Sequence, residues 1–195
     1  MEVRPTVKPL DRLLRTWRTR VALREIPTGA DAVLDIGCGD GHLLGSLRAR
    51  CREGIDPTLP RDFEVDGLRL CSGCFPGDLA RLGLRGPYDA VFALAVFEHL
   101  DDEELRAARA VLPELLKPGG RLIVTVPHPF VDRILDVLMF LRLIDGQAVE
   151  EHHGFDPGRL TDELASEQVR LVSRSSFQLG LNNIFVFERN GLPCS

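Results

Sequence analysis

Val33-Leu-Asp-Ile-Gly-Cys-Gly-Asp-Gly41 joins a short apolar run, Ala32 to Ile36, to a loop with glycine at positions 37, 39 and 41. A helical pattern from His42 to Arg50 follows, so the segment reads as strand, glycine loop, helix. The glycines let the backbone turn tightly and let a ligand lie against bare peptide groups at a helix N-terminus. Asp56 ends the next apolar stretch, Arg52 to Asp56, 19 residues after Gly37. A carboxylate there is placed to accept both hydroxyls of a ribose, the geometry expected of a nucleoside-binding α/β sheet.

The ligand this loop favours is cationic. A dinucleotide fingerprint needs a third glycine three residues after the second, and His42 occupies that position. Asp35 sits just before the loop, where it would repel a pyrophosphate and attract an ammonium group.

Working outward, Leu10, Leu13, Leu14, Trp17 and Val21 fall at helical spacing, with arginines on the other face, and predict an amphipathic helix over about 9–25. Only 11 residues separate Asp56 from Leu68, too few for a full crossover helix with its loops. Tyr88 to Leu94 reads as a strand. Asp101-Asp-Glu-Glu opens a helix, which Lys117-Pro-Gly-Gly120 stops, and Leu122 to Val126 is a buried strand. Residues 130–144 are a helical candidate, and a short helix is expected near Leu160 to Ser166. Val169 to Gln178 and Ile184 to Glu188 then read as a closing antiparallel hairpin. The alternation predicts one α/β domain with a doubly wound, mostly parallel sheet between helical layers, a three-layer sandwich.

Composition is that of a folded chain. Of 195 residues, 44% are hydrophobic and 27% charged, which argues against disorder. No apolar run is long enough for a transmembrane segment, and the amino terminus lacks a secretory core, so a cytoplasmic location is expected. The five cysteines are odd in number and unevenly spaced, which favours thiols over disulfides. Cys71-Ser-Gly-Cys74 has no second Cys or His pair at finger spacing, so no metal site is expected. The net charge of −5 predicts no nucleic acid as a partner. Residues 1–29 nevertheless carry seven basic side chains against three acidic ones, room for a small anionic partner.

The motifs Leu34 to Gly39, Asp56, Tyr88 to Val91, Glu98-His-Leu100 and Leu116 to Gly120 together resemble the class I S-adenosylmethionine-dependent methyltransferases, in their small Rossmann-like group. The resemblance covers about residues 30–127. It implies a seven-stranded-type sheet, S-adenosyl-L-methionine as cofactor, and methyl transfer as activity. It also implies that Gly37, Cys38 and Gly39 lie against the methionine portion with Asp35 nearby, that Asp56 holds the ribose, and that Leu94 lies beneath the sulfonium. The family often carries Gly-Asp after strand three. Here the equivalent is Gly73-Cys74 or Gly77-Asp78, with Asp78 and a stacking Phe75 preferred for adenine.

Methyl transfer needs a nucleophile in line with the carbon–sulfur bond and little acid-base machinery. His128, between two prolines at the end of the fifth strand, is the first candidate for a general base, and His99 after the fourth is the second. His152 and His153 read as part of a solvated loop. The crowded apolar segment Val131 to Ile144 reads either as core or, within about 128–155, as a cap over the substrate. The acceptor expected is a small molecule, apolar or lipid-like. The alternatives are an NAD-dependent oxidoreductase and a non-catalytic S-adenosylmethionine-binding module.

Overall fold

The computed structural model describes residues 9–128 and 158–191. The expected cap over about 128–155, its apolar segment and His152 and His153 lie outside the described residues, His128 excepted. In chain order the elements are α1 (Pro9–Ala22), β1 (Ala32–Ile36), α2 (His42–Gly45), β2 (Cys51–Asp56), β3 (Phe63–Val65), β4 (Leu68–Ser72) and α3 (Leu79–Leu82). After them come β5 (Tyr88–Leu94), α4 (Asp102–Leu115), β6 (Leu116–Pro127), α5 (Arg159–Leu164), β7 (Val169–Phe177) and β8 (Asn182–Arg189). Short 3-10 turns occupy Leu23–Glu25 and Phe97–His99.

One eight-stranded sheet has the order β3-β4-β2-β1-β5-β6-β8-β7. Strands β4, β2, β1, β5 and β6 are parallel, while β3, β8 and β7 join antiparallel. The parallel strands are apolar almost without interruption because both faces are covered. Leu34, Val91, Leu122 and Val124 pack with Leu105, Ala108 and Leu112 of α4 and Leu160 and Leu164 of α5. Val33, Ala90, Phe92 and Ile123 face Ala22 of α1 and Leu43 and Leu44 of α2. The doubly wound, three-layer architecture and its C-terminal hairpin are as the sequence predicts.

Three local features differ from the expectation. The eighth strand, β3, replaces the abbreviated crossover with a hairpin: Asp66 and Gly67 take positive φ values of 47° and 73°, the two-residue turn that suits twisted strands. Helix α2 stops at Gly45 rather than Arg50. Ser46 Oγ donates to Leu43 O at 2.6 Å, and the following amides turn back three residues instead of four. Lys117-Pro-Gly-Gly120 lies within β6 rather than in a separate turn, since α4 runs directly into that strand. The start of α4 follows expectation. The Asp101 carboxylate accepts from Glu103 N and Glu104 N at 2.8 Å, and Glu104 Oε2 accepts from Asp101 N at 3.0 Å.

A buried carboxylate fixes the amino-terminal side of the sheet. Glu53 of β2 is fully buried and accepts from Tyr88 Oη at 2.5 Å, Arg85 N at 2.8 Å and an Arg69 guanidinium nitrogen at 3.1 Å. Burial and this bond push the Tyr88 phenol well above its ordinary range. Removing the carboxylate leaves a phenol and a guanidinium in the interior without their acceptor. Glu53→Ala is expected to cost about 3 to 5 kcal/mol in urea unfolding, and Tyr88→Phe about 1 to 3 kcal/mol.

Candidate active site at the carboxyl edge of the sheet

From β1 the chain moves outward to β2 and β4 and then returns to β5 on the other side of β1. This reversal leaves a crevice at the carboxyl ends of β1 and β5, where open α/β sheets bind ligands. Two cavities open there and share Gly37. The larger, about 410 Å³, is lined by Gly37, Asp56, Thr58, Cys74, Phe75, Val96 and His99, among others. The smaller, about 190 Å³, lies under α1 and is lined by Arg15, Arg18, Asp35, Cys38, Gly39 and Leu94, among others.

The glycine loop fits a ligand lying against its backbone. Gly37 has φ +73°, and a Cβ there would stand 2.5 Å from Val96 Cγ2, so the β1 and β5 ends touch. Gly39 has φ +55° and would meet nothing within 4 Å, leaving bare peptide beside open space. Asp56 locks this loop. Its Oδ2 accepts from Gly39 N at 2.7 Å, and its Oδ1 from Thr58 N at 2.8 Å and Thr58 Oγ1 at 2.5 Å. Three of a carboxylate's roughly four acceptor positions are thus taken. Accepting two ribose hydroxyls requires the Thr58 hydroxyl to turn away.

Asp35 is buried, and burial together with the nearby Asp56 carboxylate pushes it up to about 8, against the pull of Arg15. A cation in the smaller cavity would restore its ionised form. Arg15 pairs with Asp40 of the glycine loop and so ties α1 to it. Arg18 is half-buried and lines the smaller cavity, and Arg15 borders it while remaining exposed, whereas Leu13 and Trp17 are 61% and 42% exposed. The inward stripe of α1 is set by Thr19 and Ala22, both buried, and Leu14 O accepts from Gln178 Nε2 at 2.8 Å.

The structure brings Asp35, Gly37, Cys38, Gly39, Asp56, Phe75 and Leu94 to the two cavities. The Cys38 side chain packs against Gly54 and its thiol is pushed well above its ordinary range, so its backbone is what remains for a ligand. Phe75 is largely buried against Phe97, with ring centroids 6.2 Å apart, and offers a cavity wall rather than an open stacking face. Asp78 does not itself line the larger cavity but sits directly behind Cys74, which does. It accepts from Cys74 N at 2.8 Å and pairs with Arg81 at 3.2 Å, which holds it well below the usual carboxylate range. Gly73 and Cys74, its sequence alternative for adenine, line the larger cavity themselves. His99 lines that same cavity. His128 follows β6, where its backbone N–H donates to Leu181 O at 2.8 Å, and it lines neither cavity.

Sequence reasoning missed Arg18 and Glu98. Glu98 is 8% exposed and neither of its oxygens is bonded to another residue, and burial pushes it up to about 7 against the pull of its own backbone N–H and, less strongly, of Arg18. The available signal was a carboxylate flanked by Phe97 and Leu100 just after a buried strand.

Residues 8–165 match the methyltransferase domain family, and the chain belongs to it, within the class I S-adenosylmethionine-dependent methyltransferases. The chain is 31% identical over 126 residues to a tRNA U34 carboxymethyltransferase of Methylococcus capsulatus, covering 55% of this chain and 37% of that protein. It is 33% identical over 113 residues to the tRNA (carboxymethyluridine(34)-5-O)-methyltransferase alkbh8 of Xenopus tropicalis, covering 53% and 16%. The chain thus spans well under half the length of either relative. Its fold matches N-methyltransferase NodS from Bradyrhizobium japonicum, solved with S-adenosyl-L-homocysteine, at a TM-score of 0.61 and 17% identity over 93% of this chain and 88% of that one. The relatives' tRNA names overturn the expectation of no nucleic acid as partner. A summed charge hides local surpluses: Arg12, Arg20 and Arg24 are all exposed on or just after α1. Among the described residues no helix is long and apolar enough to cross a membrane.

Two outcomes follow from this geometry. Asp56→Ala is expected to weaken S-adenosylmethionine binding by about 1 to 3 kcal/mol in calorimetry on the folded variant, because both the loop lock and the ribose acceptor are lost. Asp35 is raised from 3.8 to about 8, so the stability of its neutral form is complete below pH 4 and lost as pH rises through 8. Thermal unfolding of the ligand-free protein should show Asp35→Asn gaining on wild type from pH 5 to about pH 8 and levelling off above it; parallel curves across that window would contradict this.

Proposed function

We propose that this protein transfers the methyl group of S-adenosylmethionine to a small-molecule acceptor that approaches beside α1. The observation that carries the reading is the pair of cavities joined at Gly37, one with Asp56 on the nucleoside side and one with Asp35, Arg15 and Arg18 on the amino-acid side. A zwitterionic amino-acid tail matches a carboxylate beside guanidinium groups. The cofactor's sulfonium makes its methyl group electrophilic, so the chain's own task is to hold the acceptor in line and exclude water. Leu94 forms the floor of that site. Leu13 and Trp17 leave apolar surface on α1 for an apolar or lipid-like acceptor.

A nicotinamide dinucleotide fits this site less well. Its pyrophosphate would meet the Asp35 and Asp40 carboxylates, and α2 has only four residues, too few aligned peptides for a strong anion site. A second acceptor reading, a modified uridine in tRNA, is favoured by the names of the curated relatives and by exposed Arg12, Arg20 and Arg24.

The test is incubation with methyl-labelled S-adenosylmethionine, once with a metabolite extract and once with total tRNA. Label in the low-molecular-mass fraction is the result expected. Label released only by nuclease would replace the small-molecule reading with the tRNA one. Cofactor binding with no transfer to either would leave a non-catalytic binding module.

A further inference from the structure

Helix α1 has two faces with different surroundings. Arg15, Arg18 and Ala22 recur at helical spacing on one of them, where the two arginines line the smaller cavity and Ala22 is buried. Leu13, Trp17 and Arg20 recur at the same spacing roughly half a turn away, and Arg24 follows in the 3-10 turn. All four are exposed, as is Arg12, and no acidic residue lies between Arg12 and Arg24. Among the described residues, Arg15 is the one exposed arginine of α1 that pairs with a carboxylate, that of Asp40.

The turn between β7 and β8 adds a third apolar group. Gln178 Nε2 donates to Leu14 O at 2.8 Å and ties this turn to α1, and the next residue, Leu179, is 95% exposed at φ +60°. Apolar side chains exposed singly need no explanation, but here three gather around one helix and alternate with arginines. That mixture discriminates between partners. A nucleic acid would use the arginines and stack on Trp17, yet it would leave Leu13 and Leu179 against a charged backbone. The headgroup layer of a bilayer takes every member, with indole and leucine at the polar–apolar boundary and guanidinium groups on the phosphates. Charge sets the orientation. Residues 1–29 carry seven basic side chains against three acidic ones in a chain of net charge −5, so an anionic surface attracts this end and repels the remainder.

Resting on the reading of an apolar acceptor reached beside α1, we propose that the outer face of α1 docks this methyltransferase on an anionic lipid bilayer and that the acceptor is an amphiphile held in that surface. Leu13, Trp17 and Leu179 enter the headgroup layer, and Arg12, Arg20 and Arg24 meet lipid phosphates. The crevice then lies behind the helix, because Arg15 and Arg18 border the smaller cavity together with Leu94. An amphiphile keeps its chain in the bilayer while its head group reaches past α1, which avoids moving the whole apolar molecule through water.

Trp17 is the chain's single tryptophan and reports directly on the contact. The full chain, without cofactor, is titrated with vesicles of phosphatidylcholine alone and of equal parts phosphatidylcholine and phosphatidylglycerol. The mixed vesicles are expected to shift Trp17 emission to the blue and to bind about a hundredfold more tightly, roughly a factor of five for each of the three arginines. Arg20→Gln combined with Arg24→Gln should remove most of that preference while S-adenosylhomocysteine affinity in calorimetry stays unchanged. Leu13→Ser should weaken binding to the mixed vesicles and serves if the double variant does not fold. Equal binding to both vesicles, an unshifted Trp17, or a preference that survives in the double variant overturns the proposal. A response of Trp17 to tRNA but not to vesicles also overturns it and assigns the face to nucleic acid. Because docking is read without cofactor, vesicle binding that persists where no acceptor is methylated upholds the docking and removes only the reading it rests on.

Discussion

The contact between the ends of β1 and β5 governs the rest of the site. Because a Cβ at Gly37 would stand 2.5 Å from Val96, the first loop must be bare backbone where it meets the fourth parallel strand's exit. That contact stands where the two cavities of the crevice meet, at Gly37. Immediately before Val96 the chain leaves β5 through a left-handed residue, Ala95. Asp56 then holds the loop from the opposite flank through the Gly39 amide, so two neighbouring strands position one short run of peptide groups. A rigid scaffold carrying bare amides in this way pre-organises recognition without long side chains that would have to be ordered on binding.

The sequence motifs divide into two structural jobs. The glycine loop and Asp56 stand at the carboxyl edge and face the cavities. Tyr88-Asp89 and Lys117-Pro-Gly-Gly120 stand at the other edge and bind each other's surroundings. Asp89 accepts from Ala32 N at 2.9 Å and Asp31 N at 3.0 Å, and both its oxygens receive Lys117 Nζ at 2.9 Å. Tyr88 reaches Glu53. The second pair of motifs therefore marks how β1, β2, β5 and β6 are aligned, and reports on chemistry only through that alignment.

The parallel strands and the glycine loop were legible because burial on both faces and a tight turn each demand particular residue types. Strand β3 was legible in principle through Asp66-Gly67, but three residues, Phe63 to Val65, are too few to show a period. The orientation of α1 was not. Its apolar residues share a stripe, yet Arg18 is drawn into the cavity wall and Arg15 borders it from the exposed side, while Leu13 and Trp17 stay toward solvent. Glu98 escaped for a related reason: a polar side chain inside an apolar run can be read for burial or for exposure, and only the tertiary structure decides between them. Asp78 shows the converse, a well-placed acid in the sequence that is spent on its own turn through Cys74 N and Arg81.

The outermost strand, β7, has consequences for the molecule's behaviour in concentrated solution. It spans nine residues with one edge unpaired among the described residues, a length that would template the addition of strands from other chains if it were flat and neutral. Its pairing with β8 is interrupted by an irregularity between Leu171 and Ser173. Arg170 is paired with Glu188, and Arg174 lies 4.9 Å from the centre of the Phe185 ring. The interruption bends the ladder and the guanidinium groups keep charge along it, so this border resists fibrillar self-association. The opposite border is guarded by brevity, since β3 offers only three residues to an incoming strand.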